Sequence, residues 1–455
     1  MRPASETPAW YRDAKFGIMI HWGLYSVPGW APLDDEVVRL LGAGLAEPVE
    51  PSTVDPLARH SYAEWYQNSY LLDGPTRAYH RRTYGDRPYA DFRSEFTAAV
   101  RRWDPEPWAE LCADAGARYV VPTTKHHDGY LLWPSTRPNP YLPHWQTRRD
   151  VIGELGAAVR GRGLRYGLYY SGGLDWTFGK LPIRRMVDVP ASIPDSVEYA
   201  RYADAHWHEL IDRYRPSVLW NDIGYPPAGE PHRLIAAYRV AVPDGVVNDR
   251  FQVDECDVHT PEYARRAGID PESWETVRAL GLSFGWNRQE TSDHLLTATD
   301  VVRLLADVVS KNGNLLLGVT PDDQGTVPGA QRAVLGEVGR WLAGHGEAIY
   351  GTRPWHTAEA VTTAGVPVRF TRRDDLLYGI VLGDPGPELC VPGLVLESDA
   401  QVRLVGPAAG TVLPVRAGPD GAVLAVGHLP PAPAHVFAVR PAPTGLRRGA
   451  APGTS

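Results

Sequence analysis

An acidic residue near the middle of the chain follows a short apolar segment, where it could serve in catalysis. Val218, Leu219 and Trp220 form a continuous apolar run typical of a strand buried on both faces, and the run ends in Asn221 and Asp222. In a (β/α) barrel, side chains at the carboxyl ends of the strands form the active site. Because a buried strand rarely ends in an unpaired carboxylate for packing reasons, Asp222 is the first candidate catalytic residue.

Polar and aromatic residues follow several other short apolar segments in the same manner. Phe16–Ile20 leads into His21, and Tyr119–Thr124 leads into a Lys-His-His-Asp sequence. Carboxylates, imidazoles and aromatic rings in one pocket suit glycoside hydrolysis, in which one carboxylate attacks the anomeric carbon and a second, protonated carboxyl donates to the leaving oxygen. The candidates are His21, His126, His127, Tyr170, Asp222 and Arg250, with Glu64, Glu262, Glu275 and Glu290 near them in sequence.

Motifs of several other enzyme classes are absent from the sequence. There is no serine or cysteine nucleophile elbow, no P-loop and no His-x-x-x-His zinc helix. The spacing Gly161-x-Gly163-x-x-x-Gly167 departs from a dinucleotide fingerprint and precedes a strand, so no cofactor is predicted. The 15 Trp and 22 Tyr far outnumber the 8 Phe, and this excess of rings with a polar group fits sugar binding.

Charge and targeting signals narrow the choice of partner. The formal net charge of −8 over 455 residues argues against nucleic acid or an anionic membrane as the main partner. The N-terminal sequence lacks the apolar segment of a signal peptide, and no run approaches transmembrane length. Cys112, Cys256 and Cys390 are scattered and odd in number, so no disulfide framework is predicted. These features predict a cytoplasmic protein and leave open a homo-oligomer.

The elements that must position the candidates alternate between helix and strand. In the helix that Pro194 and Asp195 open, apolar residues recur at three- and four-residue spacing, and Thr299 is predicted to cap a later helix. Alternation of this kind over about 310 residues predicts a parallel α/β fold. Because the polar residues gather after the strands, an irregular (β/α), TIM-like barrel is favoured over a doubly wound sheet.

The pattern changes beyond Gly346 to short β segments separated by Gly, Pro and Asp turns, which predicts a small antiparallel β-sandwich. We therefore predict a catalytic barrel over residues 1–345, a C-terminal sandwich over 346–440 and a disordered Pro-, Gly- and Arg-containing tail over 441–455. The segment 29–59, rich in Pro, Gly and acidic residues, is predicted to be a long irregular loop.

Eight short motifs follow one another between about Trp10 and Leu342. In chain order they are FGIMIHWG from Phe16, EWY from Glu64, HHDG from His126, LYYS from Leu168, LWND from Leu219, NDR from Asn248, FGWN from Phe284 and SKNGNLLL from Ser310. As a set they resemble the α-L-fucosidases of glycoside hydrolase family 29. The resemblance implies a retaining exo-glycosidase that acts on fucosylated glycans or glycosides, with an irregular (β/α) barrel, a C-terminal β-sandwich and no need for a metal or other cofactor.

The resemblance also implies a role for each candidate residue. Asp222 would be the nucleophile, and Phe284 would face the methyl group of fucose. Glu262, twelve residues after Arg250, would be the acid/base, while Glu290 and Glu275 remain alternatives. The residues implied to line the sugar pocket are His21, Glu64, Trp65, His126, His127, Tyr170, Trp220 and Arg250.

Two other functions compete with this hypothesis. His126, His127 and Asp128 could bind a metal ion in a metal-dependent hydrolase, which sensitivity to chelators would reveal. Adjacent residues of an extended chain point to opposite sides, so this site would require a turn. A sugar-binding barrel without catalysis is the other alternative, and it would never turn over an aryl fucoside. Trp220 could equally belong to the core, and Arg250 could serve only to pair a neighbouring carboxylate.

Overall fold

The computed structural model of the chain describes residues 7–33, 56–406 and 411–447. The middle of the predicted long loop, residues 34–55, and the end of the predicted tail, residues 448–455, lie outside the described residues. The chain up to about residue 320 is organised around one parallel sheet. Its strands are β1 Phe16–Ile20, β2 Tyr119–Lys125, β3 Arg165–Tyr166, β4 Leu168–Ser171, β5 Val218–Asp222, β6 Val246–Val247, β7 Trp274–Ala279 and β8 Gly313–Val319.

The strands pair in the order β6-β5-β4-β2-β1-β8-β7, with β3 beside the start of β2. The two edge strands, β6 and β7, meet through the segment 258–262. Val258 forms a bridge with Asn248 just after β6, and Glu262 forms a parallel bridge with Val277 of β7. The sheet therefore closes into an irregular (β/α) barrel, and the predicted TIM-like fold class is confirmed.

Alternation along the strands separates the barrel interior from the layer beneath the helices. In β5 all five residues are buried, as the continuous apolar run predicted. Val218 and Trp220 pack in the interior cluster with Tyr169, whereas Leu219 and Tyr170 belong to the outer core with the helices. Because successive side chains of a strand point to opposite faces, Asp222 shares the interior face of Trp220 at the carboxyl end of β5.

Helices cover the outside of the barrel. Ser196 caps the longest of them by accepting a hydrogen bond from the Tyr199 amide. A later helix is capped by Thr297 rather than by Thr299, because Thr297 and Asp300 form a reciprocal capping box. No helix in the described part of the chain has the length and hydrophobicity needed to cross a membrane. The helices are α1 Ala9–Ala14, α2 Tyr66–Ser69, α3 Pro75–Tyr84, α4 Arg93–Arg102, α5 Glu106–Asp114, α6 Val151–Gly161, α7 Val197–Tyr214, α8 Pro231–Ala241, α9 Ala298–Ser310 and α10 Gly329–His345.

Antiparallel strands follow α10 and form two sheets, one in the order β13-β16-β11-β10-β9 and one in the order β12-β15-β14. Apolar residues between the sheets form their own core. Trp341 of α10 donates a hydrogen bond from Nε1 to the Ala434 carbonyl at 2.9 Å, so the sheets pack against the barrel helices. The strands are β9 Arg353–Val361, β10 Pro367–Arg373, β11 Leu376–Val381, β12 Glu388–Cys390, β13 Gln401–Val405, β14 Val415–Ala417, β15 Ala422–Ala425 and β16 His435–Arg440.

The domain boundaries stay predictions, although the change from helix to antiparallel strand lies where the sequence pattern changes. The helix α10 ends at His345, and β9 begins at Arg353. Part of the predicted tail contacts the sandwich, since Leu446 bridges Leu394 and the Ala442 amide donates a hydrogen bond to the Asp375 carbonyl.

Candidate active site

Asp222 lies at the carboxyl end of β5 and accepts three hydrogen bonds. Arg250 Nη1 donates to Oδ1 at 2.6 Å, the Tyr169 hydroxyl donates to Oδ2 at 2.6 Å, and the Ile223 amide donates to Oδ1 at 3.0 Å. Burial alone raises the pKa of Asp222, but the positive charge of Arg250, the neighbouring His127 and the Tyr169 hydrogen bond outweigh it. The net pKa therefore lies below the ordinary value of 3.8. The Asp222 carboxylate is ionised at neutral pH.

Arg250 connects this carboxylate to a second one. The same Nη1 donates to Glu262 Oε1 at 2.8 Å, and Nη2 donates to the Thr260 carbonyl at 2.9 Å. The guanidinium also lies over the Trp220 ring, with Cζ 4.5 Å from the ring centroid. Since both carboxylate oxygens contact one nitrogen, they can be no further apart than the two distances added together, about 5.4 Å. A separation of about 5–5.5 Å is typical of retaining glycosidases, and inverting enzymes need about 6.5–9.5 Å.

Glu262 owes its position to the segment that closes the barrel. Its backbone pairs with Val277 of β7, and the segment just before it pairs with Asn248 after β6. Asp249 anchors this segment, because its Oδ1 accepts hydrogen bonds from the amide and hydroxyl of Thr260. The Glu262 side chain remains about one fifth exposed, which leaves it open to water at the mouth of the site.

Three histidines lie beside the carboxylates. His21 and His126 approach with ring centroids 5.8 Å apart, and His126 and His127 lie 3.9 Å apart. Burial lowers the pKa of His21 to about 3 and that of His127 to about 4. Burial, together with the neighbouring histidines, also lowers the pKa of His126 well below its ordinary value. All three imidazoles are therefore neutral at neutral pH, so each offers one hydrogen-bond donor and one acceptor.

The hydrogen bonds of Ser171 fix the tautomer of His127. The Ser171 hydroxyl donates to the Leu174 carbonyl at 2.7 Å, and a carbonyl oxygen can only accept. The single hydroxyl hydrogen is thereby used, so Ser171 accepts at 2.7 Å from the Nδ1–H of His127. His127 carries its proton on Nδ1 and keeps Nε2 as an acceptor.

Glu64 and Phe284 come from loops that pack against each other at the same end of the barrel. Glu64, in the 3₁₀ turn Ala63–Trp65, accepts hydrogen bonds from the Gly285 amide at 2.7 Å and the Ser283 hydroxyl at 3.0 Å. Burial raises the pKa of Glu64 to about 7, although these two hydrogen bonds oppose the shift. A side chain at Gly285 would contact the Glu64 backbone at 2.9 Å, so glycine allows this close approach. The Phe284 ring centroid lies 5.4 Å from that of His21.

These side chains surround one cavity of about 290 Å³ at the carboxyl ends of the strands. That volume lies at the small end of the range for ligand pockets, and the lining combines aromatic rings with a few convergent polar groups. The lining residues are Met19, His21, Leu57, His60, Tyr62, Glu64, Trp65, His126, His127, Tyr169, Met186, Trp220, Asp222, Ile223, Arg250, Glu262, Val277 and Phe284.

Three residues predicted from the sequence do not line this cavity. Tyr170 points outward, where its hydroxyl lies 3.1 Å from His206 Nδ1, and its neighbour Tyr169 contacts Asp222 instead. Glu275 lies inside the barrel, where Tyr11, Tyr119 and Trp220 donate hydrogen bonds to its carboxylate.

Glu290 is buried beside the loop around Gly281, and its Oε1 has no hydrogen-bond partner among the described residues. Burial raises the pKa of Glu290 to about 8. The structure also adds Tyr62, His60 and Met186, which the sequence analysis did not single out. Tyr62 follows His60 by two residues and lies just before the EWY motif, which is the one signal that could have found it.

The alternative metal site would use Asp128 as a ligand beside His126 and His127, but both carboxylate oxygens of Asp128 already accept hydrogen bonds. Asp128 Oδ2 accepts a hydrogen bond from the Tyr89 hydroxyl at 2.8 Å, and Oδ1 accepts one from the Tyr130 amide. Over the described ranges, no group of three or more His, Cys, Asp or Glu side chains could hold a metal ion. The metal-dependent hydrolase thus has no ligand set in this part of the chain.

The barrel holds two carboxylates that share one arginine, and aromatic side chains surround them. This arrangement defines the class of glycoside hydrolases. A family model described as Alpha-L-fucosidase matches residues 2–347. The tissue alpha-L-fucosidase of Homo sapiens is 30% identical over 401 residues, which cover 83% of this chain and 76% of that protein. The alpha-L-fucosidase of Branchiostoma floridae is 31% identical over 400 residues, covering 83% of this chain and 79% of that protein.

Among solved structures, the alpha-fucosidase of Thermotoga maritima in complex with fucose has a TM-score of 0.83 and 39% identity. The match covers 95% of this chain and 97% of that one. The chain therefore belongs to the α-L-fucosidase family, glycoside hydrolase family 29. The family and the α-L-fucosidase activity predicted from the motifs are confirmed.

Proposed function

We propose that the protein is a retaining, exo-acting α-L-fucosidase that removes terminal α-L-fucosyl residues from glycans or glycosides through a covalent intermediate on Asp222. The observation that carries the proposal is the single arginine nitrogen shared by Asp222 and Glu262, which holds these two carboxylate oxygens closer together than the separation of about 6.5–9.5 Å that an inverting enzyme needs. The small cavity fits one sugar ring at a chain end, and the Thermotoga maritima relative was solved with fucose.

In the first step, an oxygen of Asp222 attacks the anomeric carbon while the bond to the leaving oxygen breaks. Glu262 gives its proton to that oxygen, so the aglycone leaves as a neutral alcohol. Arg250 contacts the carboxyl groups of both Asp222 and Glu262. Its positive charge therefore stays beside each of them while their charges change. The neutral histidines and Glu64 bind the hydroxyls of the sugar and hold the ring against Asp222.

In the second step, water enters at the side of the departed aglycone. Glu262, now ionised, takes a proton from this water as the oxygen attacks the anomeric carbon, and the bond to Asp222 breaks. Both carboxyl groups return to their starting states. Two displacements at one carbon restore the original configuration, so the product is the α anomer.

Stereochemistry tests this proposal directly. We expect the L-fucose released in the first minutes of hydrolysis of an aryl α-L-fucoside to be the α anomer, followed by slow mutarotation to the equilibrium mixture. Proton NMR of the anomeric signals during a fast reaction at high enzyme concentration measures this. Initial release of β-L-fucose would instead show a single displacement by water and would rule out a covalent intermediate.

Replacing Glu262 with alanine tests the acid/base. We expect kcat/KM to fall by about 10²–10⁴-fold for an alkyl fucoside, which needs protonation of its leaving group. For a dinitrophenyl fucoside, which does not, the fall in kcat/KM should be below about tenfold.

Glu290→Ala is the matched control, since Glu290 is a buried carboxyl that does not line the cavity. Its effect on kcat/KM should be the same for both leaving groups. Leaving-group dependence in the Glu290 variant, together with its absence in the Glu262 variant, would transfer the acid/base role to Glu290.

A further inference from the structure

An apolar wall lies at the mouth of the cavity, outside the group of residues that surround the reacting carbon. It consists of Leu57, Met186 and Ile223. Met186, in the 3₁₀ turn Met186–Asp188, is 41% exposed, so it stands at the opening. Ile223 packs against a satellite apolar cluster that contains Leu57, and it directly follows Asp222 in the chain. The wall therefore adjoins the carboxylate that attacks the sugar.

The backbone at Ile223 is held in an unfavourable conformation. Its φ of +60° lies in the left-handed region, which a β-branched residue rarely adopts and which glycine adopts freely. The Ile223 amide donates a hydrogen bond to Asp222. Glycine at position 173 lets the neighbouring backbone approach closely, since a side chain there would lie 2.1 Å from the Ile223 carbonyl oxygen. Such strain is typical of functional sites. The amide contact would survive in a glycine, so the strain points to a role for the isoleucine side chain.

Two polar side chains that line the cavity together with this wall are already engaged. Arg250 Nη1 is shared between the two carboxylates, and its Nη2 donates to Thr260. Both ring nitrogens of His60 have partners, the Tyr62 amide at 3.1 Å and the Ser69 hydroxyl at 3.0 Å. Arg250 and His60 are thus occupied and do not favour the hydroxyls of a leaving sugar. A site for such a sugar would need convergent donors and acceptors.

We propose that Leu57, Met186 and Ile223 form the leaving-group subsite and that it takes an apolar aglycone, an alkyl or aryl alcohol, in preference to a hydroxylated one. This inference rests on the proposed function, because it assumes that the glycosidic bond lies beside Asp222. Contact with these three aliphatic side chains removes apolar surface of the aglycone from water, which favours its binding. Methionine adapts its unbranched side chain to groups of different shape, which suits a subsite that is open to solvent.

The test uses leaving groups of similar acidity, so that chemistry and subsite binding can be separated. The substrates are propyl, hexyl and 2-(2-hydroxyethoxy)ethyl α-L-fucosides, the last having the chain length of hexyl but two oxygens in place of carbons. Each buried methylene is expected to raise kcat/KM about threefold, so hexyl should exceed propyl, which is three methylenes shorter, by about 30-fold and the hydroxyethoxyethyl substrate by about tenfold. Met186→Ser should remove most of this gain, and Met186→Leu should keep it.

Val187→Ser is the matched control, since Val187 is the next residue, is 75% exposed and does not line the cavity. It should preserve the hexyl preference. Inhibition by free L-fucose should be the same in all variants. Equal kcat/KM for the hexyl and hydroxyethoxyethyl substrates, or an undiminished preference in Met186→Ser, would overturn the subsite. If the enzyme hydrolysed none of the three fucosides, the proposed function itself would be overturned.

Discussion

The Asp222→Gly variant is expected to lose about 10³–10⁵-fold in kcat/KM on an aryl α-L-fucoside, because no covalent intermediate can form. Removing the side chain also leaves a space where a small anion can bind. Azide should enter that space, attack the anomeric carbon from the face that Asp222 occupied, and give β-L-fucosyl azide with partial recovery of turnover. Steady-state kinetics with and without azide, with NMR of the product, measures both effects.

This variant is expected to keep its fold. The loss of Asp222 does not leave Arg250 as a buried, unpaired charge, because its Nη1 retains Glu262 as a partner at 2.8 Å. Asp254→Gly is a suitable control, because Asp254 is exposed and no hydrogen bond or ion pair of its side chain occurs among the described residues. It should be close to wild type in rate. An Asp222→Gly enzyme within tenfold of wild type would remove Asp222 from the role of nucleophile.

The electrostatics of Asp222 explain how the carboxylate that we propose as the nucleophile can be charged although it is buried. Desolvation pushes its pKa up, and Arg250, His127 and the Tyr169 hydroxyl together push it down by more, so the net pKa lies below 3.8. A group with a lowered pKa loses its charge only as the pH falls through that lowered value. The Asp222 carboxylate therefore keeps its charge to a lower pH than an ordinary aspartate, whereas Glu64, with a pKa of about 7, gains a proton near neutral pH.

The strand ends could be predicted from the sequence because a buried strand has a clear pattern, a continuous run of apolar residues. The apolar run before Asp222 predicted both the strand and the position of the carboxylate at its end. The direction of neighbouring side chains was harder, as Tyr169 and Tyr170 show. Adjacent residues on β4 face opposite sides, and only the register Tyr169 to Trp220 and Ser171 to Asp222 decides which one points inward.

The acid/base candidates could not be separated by sequence because the deciding contacts come from distant parts of the chain. Glu275 remained an alternative to Glu262, but Tyr11 and Tyr119 donate hydrogen bonds to its carboxylate within the barrel. Glu262 reaches the cavity only because the segment before it bridges β6 and β7. That closure is an irregular feature of this barrel, and neither periodicity nor propensity encodes it. The prediction that Thr299 caps this helix was wrong, although the Thr-x-x-Asp capping box that begins at Thr297 was present in the sequence.

The pocket should also discriminate among sugars, in an order set by its two kinds of surface. Phe284 packs between His21, Tyr62 and Tyr263, with ring centroids 5.4 to 6.0 Å away, and forms an apolar niche. The histidines form the other surface. Of these, His127 presents Nε2 as an acceptor, since Ser171 engages its Nδ1–H. A neutral imidazole that loses its sugar hydroxyl has no bulk water to replace it.

We therefore expect aryl α-L-fucosides to be preferred over L-galactosides by about 10²-fold in kcat/KM, and over 6-deoxy-L-glucosides by about 10⁴-fold or more. The L-galactoside adds a hydroxyl to the methyl that Phe284 is expected to contact, and apolar niches reject an added hydroxyl only modestly. The 6-deoxy-L-glucoside moves the axial 4-hydroxyl and leaves a buried imidazole unpaired, which is far more costly. Kinetics with one aryl leaving group on all three sugars measures the order. Hydrolysis of the 4-epimer at the rate of the L-galactoside would mean that His21, His126 and His127 do not recognise that hydroxyl, and the sugar would have to lie in the cavity in another orientation.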